Sequence, residues 1–158
     1  MKRIIILLFV MSLKMLNAQV FQVDTLQYRG DVNRYINIVI LGDGYTVSEQ
    51  STFISDASNL SAYLLGQSPW SAYVNYFNVF AVRVVSAESG AKHPGIAGDC
   101  NSANPLVPIS NPDNYFGSTF DNLGIHRLIS PINIISIASV LSANFPTYDQ
   151  VLVLVNSP

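Results

Sequence analysis

Apolar positions along the chain recur with two periods. Tyr35 to Leu41 is β-branched and almost continuously apolar, as expected for a strand covered on both faces of a mainly parallel sheet. Gly42-Asp43-Gly44 breaks that run, and Thr46 with Glu49 three residues later forms a capping box that opens a helix. In that helix Phe53, Ala57, Leu60 and Leu64 recur at helical spacing, and Gly66 is placed just past its end. Ser68-Pro69 predicts the start of a short second helix carrying Trp70 and Tyr73. Phe77 to Val85 then reads as a second buried strand, and Val20 to Tyr28 as an added edge strand.

From Ser86 to about Phe120 the periodicity disappears among prolines and glycines. A run of this length without regular structure is uncommon in a compact domain and is usually functional. Asp121 to Leu128 predicts a short helix, Ile132 to Ala143 a longer one stopped by Pro146, and Gln150 to Val155 a third buried strand. The expected fold is α/β, a three-layer unit with a mainly parallel sheet in the order β-α-β-loop-α-β. A strand buried on both faces is an unusual last element, so the unit is expected to be incomplete at its C-terminus.

Residues 1–18 stand apart. Lys2 and Arg3 precede an apolar run from Ile4 to Leu13, and Leu16-Asn17-Ala18 supplies a cleavage site before Gln19. The segment reads as a secretory signal peptide, too short and too early interrupted by Lys14 for a membrane span. The product is therefore expected to be secreted, periplasmic or at the cell surface, with no membrane association once the signal is removed.

Composition narrows the choice of function. The 158 residues are 49% hydrophobic but only 11% charged, which excludes a disordered chain. Of eight basic residues three lie in the signal, leaving five against ten acidic ones, a formal charge of −5. With no basic cluster, a nucleic-acid partner is excluded. Cys100 is the only cysteine, so no disulfide can form within these residues.

Candidate chemistry gathers at the carboxyl ends of the strands, where open α/β sheets place their sites. Asp43 and Tyr45 lie in the turn after the first strand, and Glu88 and Ser89 in Ser86-Ala87-Glu88-Ser89-Gly90 after the second. These four are candidates for a substrate cleft or for structural turns. The turn is reminiscent of the Gly-Asp-Ser block of GDSL-type esterases, but Gly44 has no side chain to act as nucleophile. His93 and His126 have no Glu or Cys at ligand spacing, so each reads as a loop or helix-surface imidazole. No catalytic and no metal-binding residue is assigned, and added zinc is expected to leave the melting temperature unchanged.

Taken in order, Asn37-Ile38-Val39-Ile40-Leu41-Gly42-Asp43-Gly44-Tyr45-Thr46, Pro69-Trp70, Phe77-Asn78-Val79, Ser86 to Gly90, Phe116-Gly117-Ser118-Thr119-Phe120 and Tyr148 to Asn156 resemble the IgA-peptidase family of secreted bacterial zinc metallopeptidases. The likeness covers roughly residues 23 to 157. It implies that a Tyr-Gly-Gly segment and a helix bearing H-E-x-x-H follow the last strand, two histidines binding Zn²⁺ and the Glu acting on the metal-bound water. The chain then reads as residues 1–18 of signal and residues 19–158 as the N-terminal part of a metallopeptidase-like catalytic domain. The implied substrate is a protein or peptide. Zinc belongs to the full-length protein, with none bound by this fragment, which is expected to be inactive by itself. Two alternatives stand beside this reading: a secreted non-catalytic binding module using Trp70 to Phe80, and an α/β hydrolase of another type using Asp43 or Glu88.

Overall fold

The computed structural model describes residues 19–97 and 108–157. The predicted signal peptide and Cys100 lie outside the described residues. Four strands form a mixed sheet with helices packed against it, an α/β arrangement: β1 (Val23–Gln27), β2 (Ile36–Asp43), β3 (Phe77–Val82) and β4 (Gln150–Val155). Their spatial order is β1-β3-β2-β4. β2 runs parallel to both of its neighbours, while β1 pairs antiparallel with β3 at one edge.

The alternation of side chains along β2 explains its unbroken apolar run. Ile38 and Ile40 point to one face, where Phe53, Ala57 and Leu65 of helix α1 (Gln50–Gly66) cover them. Val39 and Leu41 point to the other, against Ile137, Val140 and Leu141 of helix α2 (Ile134–Asn144). A strand flanked in this way has no solvent face on which polar residues could alternate. β4 departs from expectation: residues 151–155 are half-buried, because β4 is an edge strand paired only with β2.

Two polar residues interrupt the apolar strands, and they are partners. Asn37 and Asn78 sit opposite each other in the β2–β3 register, both buried. Asn78 Nδ2 donates to Asn37 Oδ1 at 3.0 Å and to the Gly30 carbonyl at 2.9 Å, and Asn78 Oδ1 accepts from Arg29 N at 2.7 Å. Asn37 Nδ2 donates to the carbonyls of Val32 and Thr147, and Asp149 Oδ2 accepts from Asn37 N at 2.8 Å. This network fixes the amino ends of β2 and β3 to the segments entering β2 and β4, and a buried amide placed so keeps its hydrogen-bonding groups satisfied.

Local signals hold less well elsewhere. The capping box at Thr46 and Glu49 is present, but it opens a 3₁₀ turn over Val47–Glu49 that runs on into α1. Gly66 is the last residue of α1, and Gln67 is the one that turns extended. The segment after Pro69 is a 3₁₀ helix over Trp70–Tyr76. In place of the helix expected from Asp121 there is a single 3₁₀ turn, Asn122–Gly124, with Asp121 and Leu123 at positive φ. In the described part of the expected structureless region, isolated bridges join Lys92 to Thr119, His93 to Ser110 and Thr119 to Ser130, while residues 98–107 lie outside the described residues.

Candidate functional site

The turn after β2 is built around glycine at both sides of Asp43. A Cβ at Gly42 would lie 2.9 Å from the Phe53 ring, so glycine there lets α1 approach the strand. Gly44 has φ +72°, and a Cβ would meet the Gly90 carbonyl oxygen at 2.5 Å. A serine nucleophile at position 44 is therefore incompatible with this backbone on both counts, which removes the esterase-like arrangement.

Asp43 itself is fully buried. Its Oδ1 accepts from the backbone N–H of Gly44 and of Phe116, both at 3.0 Å, and from the Ser86 hydroxyl at 3.3 Å. Oδ2 accepts from Ser118 N at 3.1 Å. Ser86 extends the set, its Oγ accepting from Gly44 N and Tyr115 N. The carboxylate thus gathers three backbone amides and a hydroxyl from the first turn, the end of the second strand segment and the distant Phe116-Gly117-Ser118 block. An anion in such a nest is stabilised by charge-assisted hydrogen bonds and has no lone pair directed at an open cleft.

A second junction lies nearer the surface. Glu49 Oε2 accepts from the Thr46 hydroxyl at 2.7 Å and Thr46 N at 2.8 Å, while Oε1 accepts from the Ser89 hydroxyl at 2.7 Å and Asn156 Nδ2 at 3.2 Å. Asn156 also donates to the Gly44 carbonyl and to Ser89 Oγ. The Thr46 hydroxyl and amide, with Ser89 and Asn156, hold the Glu49 carboxyl down at about 2 against a small opposing effect of burial.

The four sequence candidates take different places. Tyr45 is buried on Phe53, its hydroxyl donating to Asp56 Oδ2 at 3.0 Å, and burial together with that carboxylate pushes the phenol up. Glu88 is exposed and its Oε2 accepts from Asp113 N at 2.7 Å. Glu88 and Ser89 line a surface cavity with Pro108, Ser110 and Pro112. Ser89 belongs to the Glu49 junction, so the structure brings Ser89 and the Asp43 turn to the same end of the sheet while Tyr45 points back under α1. The sequence marks Glu49 only as part of the capping box and Asn156 only as the end of a matched block, and nothing local signals that the two meet. The aromatic segment after Pro69 presents Trp70, Tyr73 and Tyr76 to solvent around a groove also lined by Arg34 and Phe77.

His93 and His126 were read separately in the sequence, yet they meet. His93 Nε2 lies 3.3 Å from His126 Nδ1, which is 2.8 Å from Asp121 Oδ1. Asp121 Oδ2 stands 3.9 Å from His93 Nε2 and accepts from Ile96 N at 2.9 Å. Burial works against the Asp121 charge, but the His126 hydrogen bond, the Ile96 and Gly95 amides and the His93 ring outweigh it and keep its carboxyl below the ordinary value. Among the described residues these three are the group whose ligand atoms converge closely enough to hold a metal ion. The spacing of 33 residues between the histidines gave no signal; only the five-residue step from Asp121 to His126 is local.

The fold is that of an α/β protein whose candidate residues gather at the carboxyl end of β2. The model of the family described as IgA Peptidase M64 matches residues 25–158, and the chain belongs to that family. No curated protein matches the chain. Membership implies a protein or peptide as substrate. No helix among the described residues is long and apolar enough to cross a membrane.

Two outcomes follow from this geometry. Asp43→Ala strands the Phe116 and Ser118 amides in the interior, Gly44 N keeping its bond to Ser86 Oγ, and is expected to cost about 3–5 kcal/mol in denaturant unfolding; a loss under about 1 kcal/mol contradicts the buried-anchor role. Glu49 has its folded pKa depressed, so its contribution is present above its ordinary value of 4.5 and is lost as pH falls toward about 2. The melting-temperature gap between the native chain and Glu49→Gln should therefore be widest above pH 5 and close by pH 2; a gap independent of pH contradicts it.

Proposed function

We propose that residues 19–158 are the N-terminal part of the catalytic domain of a secreted zinc endopeptidase, with residues 1–18 as its export signal. The observation that carries this reading is the family match over residues 25–158, taken with the way the matched blocks converge on the Asp43 turn at the carboxyl end of β2. In this reading the chain supplies scaffold and one wall of the substrate cleft, at Glu88 and Ser89, and the catalytic ion is held by residues outside it. The residues present do not fit a peptidase zinc centre. The two histidines of the chain stand 33 residues apart, so no H-E-x-x-H pair exists among them. Their cluster with Asp121 is enclosed, the His93 and Asp121 side chains being fully buried, whereas a hydrolytic zinc needs a coordination position open to water and substrate. No catalytic step is assigned to this chain's residues. The alternative of a hydrolase using Asp43 finds no support in a carboxylate already occupied by four donors.

The test is to compare the 158-residue chain with the product of the coding sequence carried beyond Pro158, using a denatured protein as substrate. The extended product is expected to contain H-E-x-x-H within a few dozen codons and to cleave in a chelator-sensitive manner, while the shorter chain does not. A continuation without that motif, or chelator-resistant cleavage by the shorter chain, overturns the proposal.

A further inference from the structure

We infer that His93, Asp121 and His126 form a site for a borderline divalent cation of the zinc type, built to tie the long loop together. It does not depend on the peptidase reading. The first support is the direction of the lone pairs. His93 Nδ1 lies 3.0 Å from the Pro108 carbonyl, which can only accept, so Nδ1 donates there and Nε2 is the nitrogen aimed inward, where its lone pair can meet a cation. A ligating histidine is oriented in this same manner, its other ring nitrogen donating to a carbonyl. Facing that lone pair are Asp121 Oδ2 at 3.9 Å and His126 Nδ1 at 3.3 Å, and His126 Nδ1 faces Asp121 Oδ1 at 2.8 Å. Asp121 Oδ2 is held by Ile96 N, while His93 Nε2 and Asp121 Oδ1 both face the single atom His126 Nδ1. A cation at their centre satisfies all of them at once.

The second support is metric. Bonds of about 2.0–2.2 Å in tetrahedral geometry put ligand atoms roughly 3.3–3.6 Å apart. The two nitrogens, His93 Nε2 and His126 Nδ1, stand 3.3 Å apart, at that edge length, and the carboxylate offers Oδ1 at 2.8 Å from His126 Nδ1 and Oδ2 at 3.9 Å from His93 Nε2. Two imidazoles and one carboxylate suit zinc better than calcium or magnesium, which favour oxygen donors. The third support is the backbone. Asp121 adopts φ 61°, a left-handed conformation that turns its carboxylate inward, where Ile96 N holds it. His93 is fixed from both sides by its bridge to Ser110.

On binding, the metal forms bonds to His93 Nε2, His126 Nδ1 and the Asp121 carboxylate, and the His126 Nδ1 proton passes to solvent. The earlier expectation that zinc leaves the melting temperature unchanged rested on fewer than three ligands being available, and the fold assembles three.

The experiment is a thermal unfolding series on the chelator-stripped protein with added Zn²⁺, joined to the visible spectrum of the Co²⁺-loaded protein. At a hundredfold excess of zinc over its Kd, the melting temperature is expected to rise by about 10 °C. Co²⁺ is expected to give the visible absorption of a tetrahedral site, lost in Asp121→Asn. His126→Gln, whose side chain is partly solvent-exposed and so less disruptive than a change at buried His93, is expected to fold and to abolish the zinc-dependent rise. An unmoved melting temperature in the native chain, or an undiminished rise in His126→Gln, overturns the inference in favour of a proton-linked triad.

Discussion

The arrangement depends on one buried anion. Asp43 sits at the carboxyl end of the central strand, and its carboxylate accepts from amides 73 and 75 residues further along the chain. A buried carboxylate is costly unless its lone pairs are met, and here backbone donors meet them. The same constraint settles why glycine flanks it. Gly44 must take positive φ while passing the Gly90 carbonyl, and Gly42 must admit the Phe53 ring. The turn is shaped to deliver one oxygen pair into a nest of amides, and that is incompatible with presenting a nucleophile at the next position.

From that anchor the rest of the strand-end surface follows. Ser86, Gly90 and Asn114 hand the long loop from one hydrogen bond to the next, with Asn114 Nδ2 donating to the carbonyls of Gly90 and Ser118. Glu49 closes the outer side by joining Thr46, Ser89 and Asn156. The His93–Asp121–His126 cluster lies in the same loop, which reaches the Asp43 carboxylate through the Lys92–Ser118 bond. Loops carrying function are commonly positioned in this way by a rigid sheet.

How much of this was legible in sequence divides along the range of the interactions. The alternation that places Ile38 and Ile40 on one face and Val39 and Leu41 on the other comes from neighbouring residues, and β4 was readable to the residue for the same reason. The Thr46–Glu49 box was likewise local. The short helix expected from Asp121 fails because the Asp121 carboxylate is drawn inward to Ile96 and His126, forcing a left-handed backbone that no propensity encodes. The role of Asp43 and the meeting of the histidines depend on contacts across the loop, and spacing alone carries no trace of them. The blocks Gly42-Asp43-Gly44, Ser86 to Gly90 and Phe116 to Phe120 did stand out in order. What the structure adds is that a single carboxylate is the reason they belong together.

Amide hydrogen exchange at Phe116 and Ser118 tests that claim most directly. If Asp43 holds the loop to the sheet, these two amides open only with the whole domain, and their protection equals that of the β2 amides of Val39 to Leu41. Exchange within about tenfold of an unstructured amide, while β2 remains protected, would show that the loop is not anchored there.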